Sequence, residues 1–579
     1  MTVQFTQPPV RETADAMSST DLEREGSNRG SNFNIASYLP TMAAKVPDRA
    51  AVVVVRGRGR DGRALYRSLT FAELEGLSNR YANGLADTGF ERGMRVLLMV
   101  KPGIEFTGLV FAMFRLGLIP VMMDPGMGVN QMLECIRTVD LHGFIGIPLA
   151  HVIRVLRGGS FRSVQRVVTV GRRWFWGGLT LDSLTARSDD RFIMADTRPD
   201  ETAAILFTSG STGPAKGVVY EHGMFDAQVR AIRLYYGIEP GEVDLATFPL
   251  FALFDTAMGM TCVVPQMDAS HPARVDPAKI VEAIQDHQVT NTFGSPALWN
   301  RVADYGVKQG VTLSSLRRIL IAGAPVPYQT IEKLHSMLPG SADVHTPYGA
   351  TESLPVSSIS GREVLADCRN RTRKGAGICV GKPLPGIDLR IIRISDDPIP
   401  VWWDEIVLDD TEIGEIVVSG AAVTKAYFNL PEATAKAKIR EGDRIWHRIG
   451  DVGYRDELGR IWFCGRKSHR VITEGGTMFS VCCEGVFNQH PAVSRSALVG
   501  VGPRGRQRPV IIVESVSGPF PNGAEGIRLR HELLSLGAQQ ERTGSIHDLM
   551  FHPPLPVDVR HNAKINREAL AEWAAKKLQ

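Results

Sequence analysis

From about residue 34 to about residue 463 the chain repeats one pattern, a short aliphatic or β-branched run followed by a stretch with helical spacing of apolar side chains. AAVVVVR precedes FAELEGLSNRYANGLADTG, RVLLMV precedes EFTGLVFAMFRLG, and RVVTV and AAILFTS follow. A strand that is apolar on both faces must be covered on both, and a helix running back over it is the simplest cover. The alternation therefore predicts an α/β fold of largely parallel sheets layered with helices. At 579 residues and 44% hydrophobic composition, the chain has material for several domains.

The texture divides the chain. Residues 1–32 are polar and rich in Ser, Gly and charge, and are read as a disordered N-terminal segment. Residues 33–464 form the large body, and 465–579, with shorter strand and helix units and a helix predicted over 567–577, a small α+β C-terminal domain. The polar stretches 56–64 and 361–375 are read as surface insertions with solvated arginines. No short-period repeat is found.

Several function classes are set aside. Lys plus Arg at 66 against Asp plus Glu at 62 gives a net charge of +4, so the overall balance offers no footprint for nucleic acid or an anionic membrane. The seven cysteines lack a CxxC pair and metal spacing, which suits a reducing compartment. The start has no apolar core of the secretory kind, and the most apolar region, 96–123, is broken by Lys101, Pro102, Glu105 and Arg115. The expectation is a cytoplasmic protein without a transmembrane segment, in which 96–123 forms a buried strand and a core helix.

The sharpest chemistry is in Thr208-Ser209-Gly210-Ser211-Thr212-Gly213-Pro214-Ala215-Lys216-Gly217, directly after the apolar AAILF. Glycines let backbone amides turn toward an anion, hydroxyls donate, and a lysine neutralises charge, so the run suits a polyphosphate. It is not a P-loop of the GxxxxGK[ST] type, because Lys216 precedes Gly217 and the chain continues into apolar VVY. A second glycine pattern, Gly500-Val501-Gly502-Pro503-Arg504-Gly505, runs into strand-like PVIIVES and is read as a hairpin rather than a dinucleotide site.

At Thr208–Gly217 the chain resembles the adenylate-forming enzymes, which include acyl-CoA synthetases, peptide-synthetase adenylation domains and luciferases. Ala322-Gly323-Ala324-Pro325 is similar to the family's adenine-side loop and Tyr348-Gly349-Ala350-Thr351-Glu352 to its tyrosine-glycine-x-threonine-glutamate motif. Gly414-Glu415-Ile416, Ile449-Gly450-Asp451, Gly465-Arg466 and Asn562-Ala563-Lys564-Ile565-Asn566-Arg567 follow in family order. The resemblance implies a large adenylation domain with a mobile lid, ATP as co-substrate and Mg2+ held by Glu352. It also implies adenine against Tyr348, the α-phosphate near Thr351, ribose hydroxyls on Asp451, and Arg466 near ribose and phosphate. The hinge falls at Lys467-Ser468, and Lys564 on the lid is the catalytic cation. Ser468 at the hinge, Ala252 where many acyl-CoA synthetases carry histidine, and Ala563 before the lysine depart from the pattern and weigh against thioester formation.

The wording VMMDPGMG at 121–128, LFTSGSTGPAKGVVYEHGMFDAQVR at 206–230 and VTNTFGSPALWNR at 289–301 is similar to the β-lactone synthetases of bacterial long-chain olefin biosynthesis. That resemblance implies a 2-alkyl-3-hydroxyalkanoic acid adenylated at its carboxylate and closed to a β-lactone, with AMP and diphosphate released. It implies a condensing enzyme, a reductase and a β-lactone decarboxylase as pathway partners. Phe248, Phe251, Phe254, Met258, Met260 and Trp299 are candidates for an acyl pocket, and His222 and His447 for the base that takes the hydroxyl proton. A long-chain fatty acyl-CoA or acyl-AMP ligase and a non-catalytic nucleotide-binding scaffold remain the alternatives.

Overall fold

The computed structural model describes residues 32–186, 189–208, 215–248, 251–516, 518, 523–557 and 564–578. The first 31 residues, expected to be disordered, lie outside this set. Two seven-stranded sheets follow the predicted plan. In the first, strands Asp343–His345, Arg318–Ile321, Asn291–Gly294, Val243–Ala246, Thr261–Val264 and Ala50–Arg58 lie side by side and parallel, and Ala64–Thr70 closes the edge antiparallel. In the second, Leu179–Thr180, Arg166–Thr169, Gly143–Gly146, Arg95–Met99, Ile119–Met123 and Thr202–Thr208 are parallel, with Lys216–Glu221 antiparallel at the edge.

The apolar region 96–123 forms strand, helix and strand as expected, with helix Ile104–Leu116 between Arg95–Met99 and Ile119–Met123. Its arginine is not wasted: Arg115 is 2% exposed, donates from Nε to Ser78 Oγ at 3.0 Å and pairs with Glu75. Among the described residues no helix is long and apolar enough to cross a membrane. Glu75 and Ser78 sit on helix Phe71–Asp87, which begins with a reciprocal cap between Thr70 and Glu73. One core unites the two sheets, joining Val52 and Cys262 of the first to Val96, Leu98 and Leu206 of the second.

A third sheet departs from the expectation of parallel layers. Tyr348–Ala350, Ser353–Ser358, Ile378–Pro383, Ile461–Arg466, Arg444–Arg455, Gly414–Gly420 and Ile387–Ile392 are all antiparallel to their neighbours, and Lys438–Glu441 pairs with Arg444–Arg455. The polar stretch 361–375 is helical rather than an open loop, with Val364, Cys368 and Thr372 buried. Its charges are paired: Arg369 with Glu332, Arg371 with Asp456 and Asp367 with Arg460. The stretch 56–64 is the tip of the hairpin Ala50–Arg58/Ala64–Thr70, and Arg58 and Arg63 pair with Glu282 and Asp286.

Gly465 and Arg466 remain in register with Val452 and Asp451, so the third sheet ends after Arg466. A turn of helix, Lys467–His469, leads to the C-terminal unit. There, Val493–Val501 and Arg508–Ser515 form the hairpin expected around Gly500–Gly505, and Asp548–Phe551 adds in parallel. Helices Ser480–Phe487, Ala524–Ala538 and Arg567–Leu578 complete it.

Candidate active site

A cavity of about 2610 Å3 runs past the carboxyl ends of strands in both parallel sheets and is closed on one side by the third sheet and the C-terminal unit. In open α/β folds the loops at those strand ends are where ligands bind. The phosphate-loop candidate joins strand Thr202–Thr208 to Lys216–Glu221, with Thr208 opposite Lys216. Ser209, Gly210, Ser211, Thr212 and Gly213 lie outside the described residues, as does the side chain of Thr208. Lys216 lines the cavity, its ammonium 4.9 Å from the centre of the Tyr427 ring.

Tyr427 in turn donates to Glu352 Oε1 at 2.6 Å, and the Glu352 carbonyl accepts the Thr424 amide at 2.9 Å. Burial and the Glu352 charge push the Tyr427 hydroxyl far above its ordinary range, so it stays a donor. Thr351 and Glu352 line the cavity, and the Thr351 carbonyl accepts the Tyr220 hydroxyl. Gly349 is required by close approach: a Cβ there would lie 2.6 Å from the Ser353 carbonyl oxygen. On the first sheet, Gly323, Ala324 and Pro325 leave strand Arg318–Ile321 and enter the cavity wall, with Gly323 at φ +94°, a turn that glycine makes without strain.

Tyr348 donates to Asp451 Oδ2 at 2.6 Å. Asp451 faces Arg466 across paired strands, with Oδ1 3.1 Å from Arg466 Nη1. No N–H is aligned on that oxygen, and among the described residues Oδ1 lacks a hydrogen bond although Asp451 is buried. Burial raises the Asp451 carboxyl pKa with Arg466 opposing the rise, and the unbonded Oδ1 keeps a lone pair open to a hydroxyl donor. Arg466 also donates to the Ile449 carbonyl at 3.2 Å. Lys564, far away in sequence, lines the same cavity and lies near enough to Asp451 to lower its carboxyl pKa.

Buried ion pairs anchor the hinge lysine and brace the C-terminal unit internally. Glu415, wholly buried in strand Gly414–Gly420, takes Lys467 Nζ at 2.9 Å and Arg448 Nη2 at 2.7 Å. Arg567 forks onto Glu484, Nη2 to both carboxylate oxygens at 2.7 Å, tying the segment that follows Lys564 to helix Ser480–Phe487. The sequence reading missed Tyr427, Glu484 and Lys438. Lys438 is buried, reaches the Thr424 carbonyl, and has its pKa pushed down to about 7 by burial, with Glu352 opposing.

The acyl-pocket candidates separate. Phe248 and Phe254 line the cavity with Phe225, Leu253 and Phe293. Trp299, Met258 and Met260 do not: they are enclosed in the core, Trp299 with no exposure at all. The side chain of Phe251 lies outside the description. Neither candidate base lines the cavity. His222 accepts the Ile35 amide at 3.3 Å and burial pushes its pKa down to about 4, while His447 donates to the Ala437 carbonyl at 3.2 Å and is held well below its ordinary value by burial and Lys438. Both are structural histidines.

This arrangement, a polar cradle able to hold a nucleotide beside an apolar volume, agrees with the comparisons. The chain belongs to the AMP-binding enzymes, whose family profile matches residues 39–428. It is 46% identical to the olefin beta-lactone synthetase of Xanthomonas campestris pv. campestris, covering 94% of this chain and 97% of that protein. It is also 46% identical to the olefin beta-lactone synthetase of Stenotrophomonas maltophilia, over 94% and 99%. Its fold is that of ATP-bound MatB from Rhodopseudomonas palustris, with a TM-score of 0.75 over 95% of this chain and 100% of that one at 21% identity.

Proposed function

We propose that this adenylate-forming enzyme is an ATP-dependent β-lactone synthetase acting on long-chain 2-alkyl-3-hydroxyalkanoic acids. The observation that carries the reading is the meeting of Glu352, Asp451, Arg466 and Lys564 in one cavity that continues into apolar volume lined by Phe248 and Phe254. The 46% identity to two olefin beta-lactone synthetases over nearly their full length supports the choice of reaction.

In the first step a substrate carboxylate oxygen attacks the α-phosphorus of ATP, and diphosphate leaves. Two anions must meet, so cations are needed where they do. Lys564 bridges carboxylate and α-phosphate, Thr351 contacts that phosphate, and the loop 208–217 with Lys216 holds the leaving diphosphate. Asp451 accepts from the ribose hydroxyls through its unfilled oxygen, and Tyr348 flanks adenine. Glu352 fits a Mg2+ role, since it presents a carboxylate to the cavity and that ion is commonly held by one or two carboxylates plus substrate phosphates; the ion supplies charge neutralisation on the polyphosphate. In the second step the 3-hydroxyl oxygen closes on the acyl carbon, the acyl–oxygen bond to AMP breaks, and the hydroxyl proton passes to solvent. The nucleophile is tethered to its electrophile, so no thiol carrier is required.

The substrate implies an upstream condensation and reduction and a downstream decarboxylase acting on the lactone. Incubation of the protein with ATP, Mg2+ and a 3-hydroxy acid in the absence of coenzyme A tests the reading. It yields AMP and a β-lactone carbonyl in the infrared; turnover only after coenzyme A is added assigns the chain to the acyl-CoA ligases instead, and absence of any ATP cleavage assigns a scaffold role.

A further inference from the structure

The near-neutral balance of the whole chain is an average over very different surfaces. Residues 141–181 contain Arg154, Arg157, Arg162, Arg166, Arg172 and Arg173, no lysine, and no aspartate or glutamate. Arg157, Arg162, Arg172 and Arg173 are exposed, and none of the six forms an ion pair among the described residues. The same segment exposes apolar side chains where a water-facing surface should not: Leu149 at 65%, Leu156 at 76%, Trp174 at 54% and Phe175 at 73%. Six of the fifteen large apolar residues exposed among those described fall between 149 and 179.

The apolar groups sit on two elements that pack against each other, helix Pro148–Leu156 and the loop carrying Trp174 and Phe175. On helix Pro148–Leu156, Leu149, Ile153 and Leu156 follow helical spacing and form one stripe. His151, on the same helix, is buried, faces the Val168 carbonyl at 3.0 Å and stacks on Trp176 at 5.1 Å. Trp176 holds Trp174 and Phe175 at 5.6 and 5.1 Å, so the helix and the aromatic loop are fastened together and the two outer rings are presented to solvent on a fixed base. Leu149, Ala150 and Ile153 also line the catalytic cavity, together with Met99, Met123 and Met132. The apolar patch is therefore continuous with the end of the cavity that reaches the second sheet.

From this placement we infer that helix Pro148–Leu156 and the Trp174–Phe175 loop form a docking surface for an anionic phospholipid bilayer, which brings the apolar arm of the cavity against the lipid. Exposed Trp, Phe and Leu side chains fringed by arginines are the composition of an interfacial anchor. The absence of acidic residues across 141–181 fits a negatively charged headgroup layer. A long-chain substrate dissolves in the bilayer rather than in water, so a cavity arm opening at the lipid would load without exposing the chain. The docking surface does not depend on which acid is activated.

The test is sedimentation of the full chain with vesicles of phosphatidylcholine alone or mixed with phosphatidylglycerol, at low and high salt. The wild type pellets with the phosphatidylglycerol vesicles at low salt and is released by high salt. The double variant R172Q/R173Q partitions roughly thirtyfold more weakly, the worth of two interfacial arginines. The double variant W174S/F175S remains in the supernatant while retaining the wild-type rate of diphosphate release on a short, water-soluble acid, which shows that it is folded. Wild type that stays in the supernatant with phosphatidylglycerol vesicles at low salt, including wild type that does so while binding a protein partner through this face, overturns the inference. So does W174S/F175S that pellets as well as wild type.

Discussion

The two ends of the cavity are built on opposite principles. At the end proposed for the nucleotide most polar groups are paired: Tyr427 with Glu352, Tyr348 and Arg466 with Asp451, Lys467 and Arg448 with Glu415. At the acyl end the walls are Phe248, Phe254 and Phe293, groups that fix no direction beyond excluding water. The nucleotide end is preorganised, which is what stabilising charge in a transition state demands. The acyl end need only fit volume and apolar surface, and can be reshaped without touching the chemistry. Under the proposed function, one end carries the reaction and the other the choice of substrate.

The largest effect expected separates the acyl wall from the core behind it. Trp299→Ala opens a hole in a region with no exposed surface and costs about 3–5 kcal/mol of stability in urea unfolding. Phe254→Ala, at the cavity wall, costs less stability and instead changes which chain lengths are turned over. Equal losses in the two variants would erase the distinction between wall and core.

Lys564→Ala tests the nucleotide end. If the ammonium acts, as proposed, on charge that develops as the acyl–phosphate bond forms, the adenylation rate falls on the order of 10²- to 10³-fold. ATP affinity and thermal stability stay near wild type. A loss seen only in ATP affinity would make Lys564 a binding residue and leave the transition state without its cation.

The smallest effect, read per pH unit, concerns Lys438. Its pKa lies at about 7 in the fold against an ordinary 10.5. Between those values the unfolded chain holds a proton that the folded chain does not, so this group makes stability rise with pH, and that gain is lost as pH falls toward 7. Lys438→Met has no amine to titrate. The stability difference between wild type and variant therefore moves in favour of wild type from pH 7 to pH 10, by at most about 1.4 kcal/mol per pH unit. Parallel unfolding curves across that range would show that the amine stays charged beneath the active site.

Much of this contrast was legible in the residues. The polar end is written in short local runs, Tyr348–Glu352, Ile449–Asp451 and Gly465–Arg466, whose spacing survives folding because each run occupies one strand or turn. The parallel sheets were legible because their strands are continuously apolar. The third sheet was not: its strands mix Arg448, Glu415 and Asp451 with apolar residues, and those charges are buried only because partners distant in sequence meet them. Stretch 361–375 misled for the same reason, since its polar residues pair with Glu332, Asp456 and Arg460 while Val364, Cys368 and Thr372 turn inward. Trp299 and Phe254 look alike in sequence, and only depth in the fold tells core from wall. The surface at 141–181 was hidden by averaging charge over the whole chain.

The most direct measurement follows one oxygen atom. With a 3-hydroxy acid carrying heavy oxygen in both carboxylate positions, attack at the α-phosphorus and later cleavage of the acyl–oxygen bond must leave one heavy oxygen on AMP and one in the lactone carbonyl. Mass spectrometry of the AMP formed without coenzyme A is expected to show that single addition. AMP free of heavy oxygen, or ADP as the nucleotide product, would contradict adenylation of the substrate carboxylate.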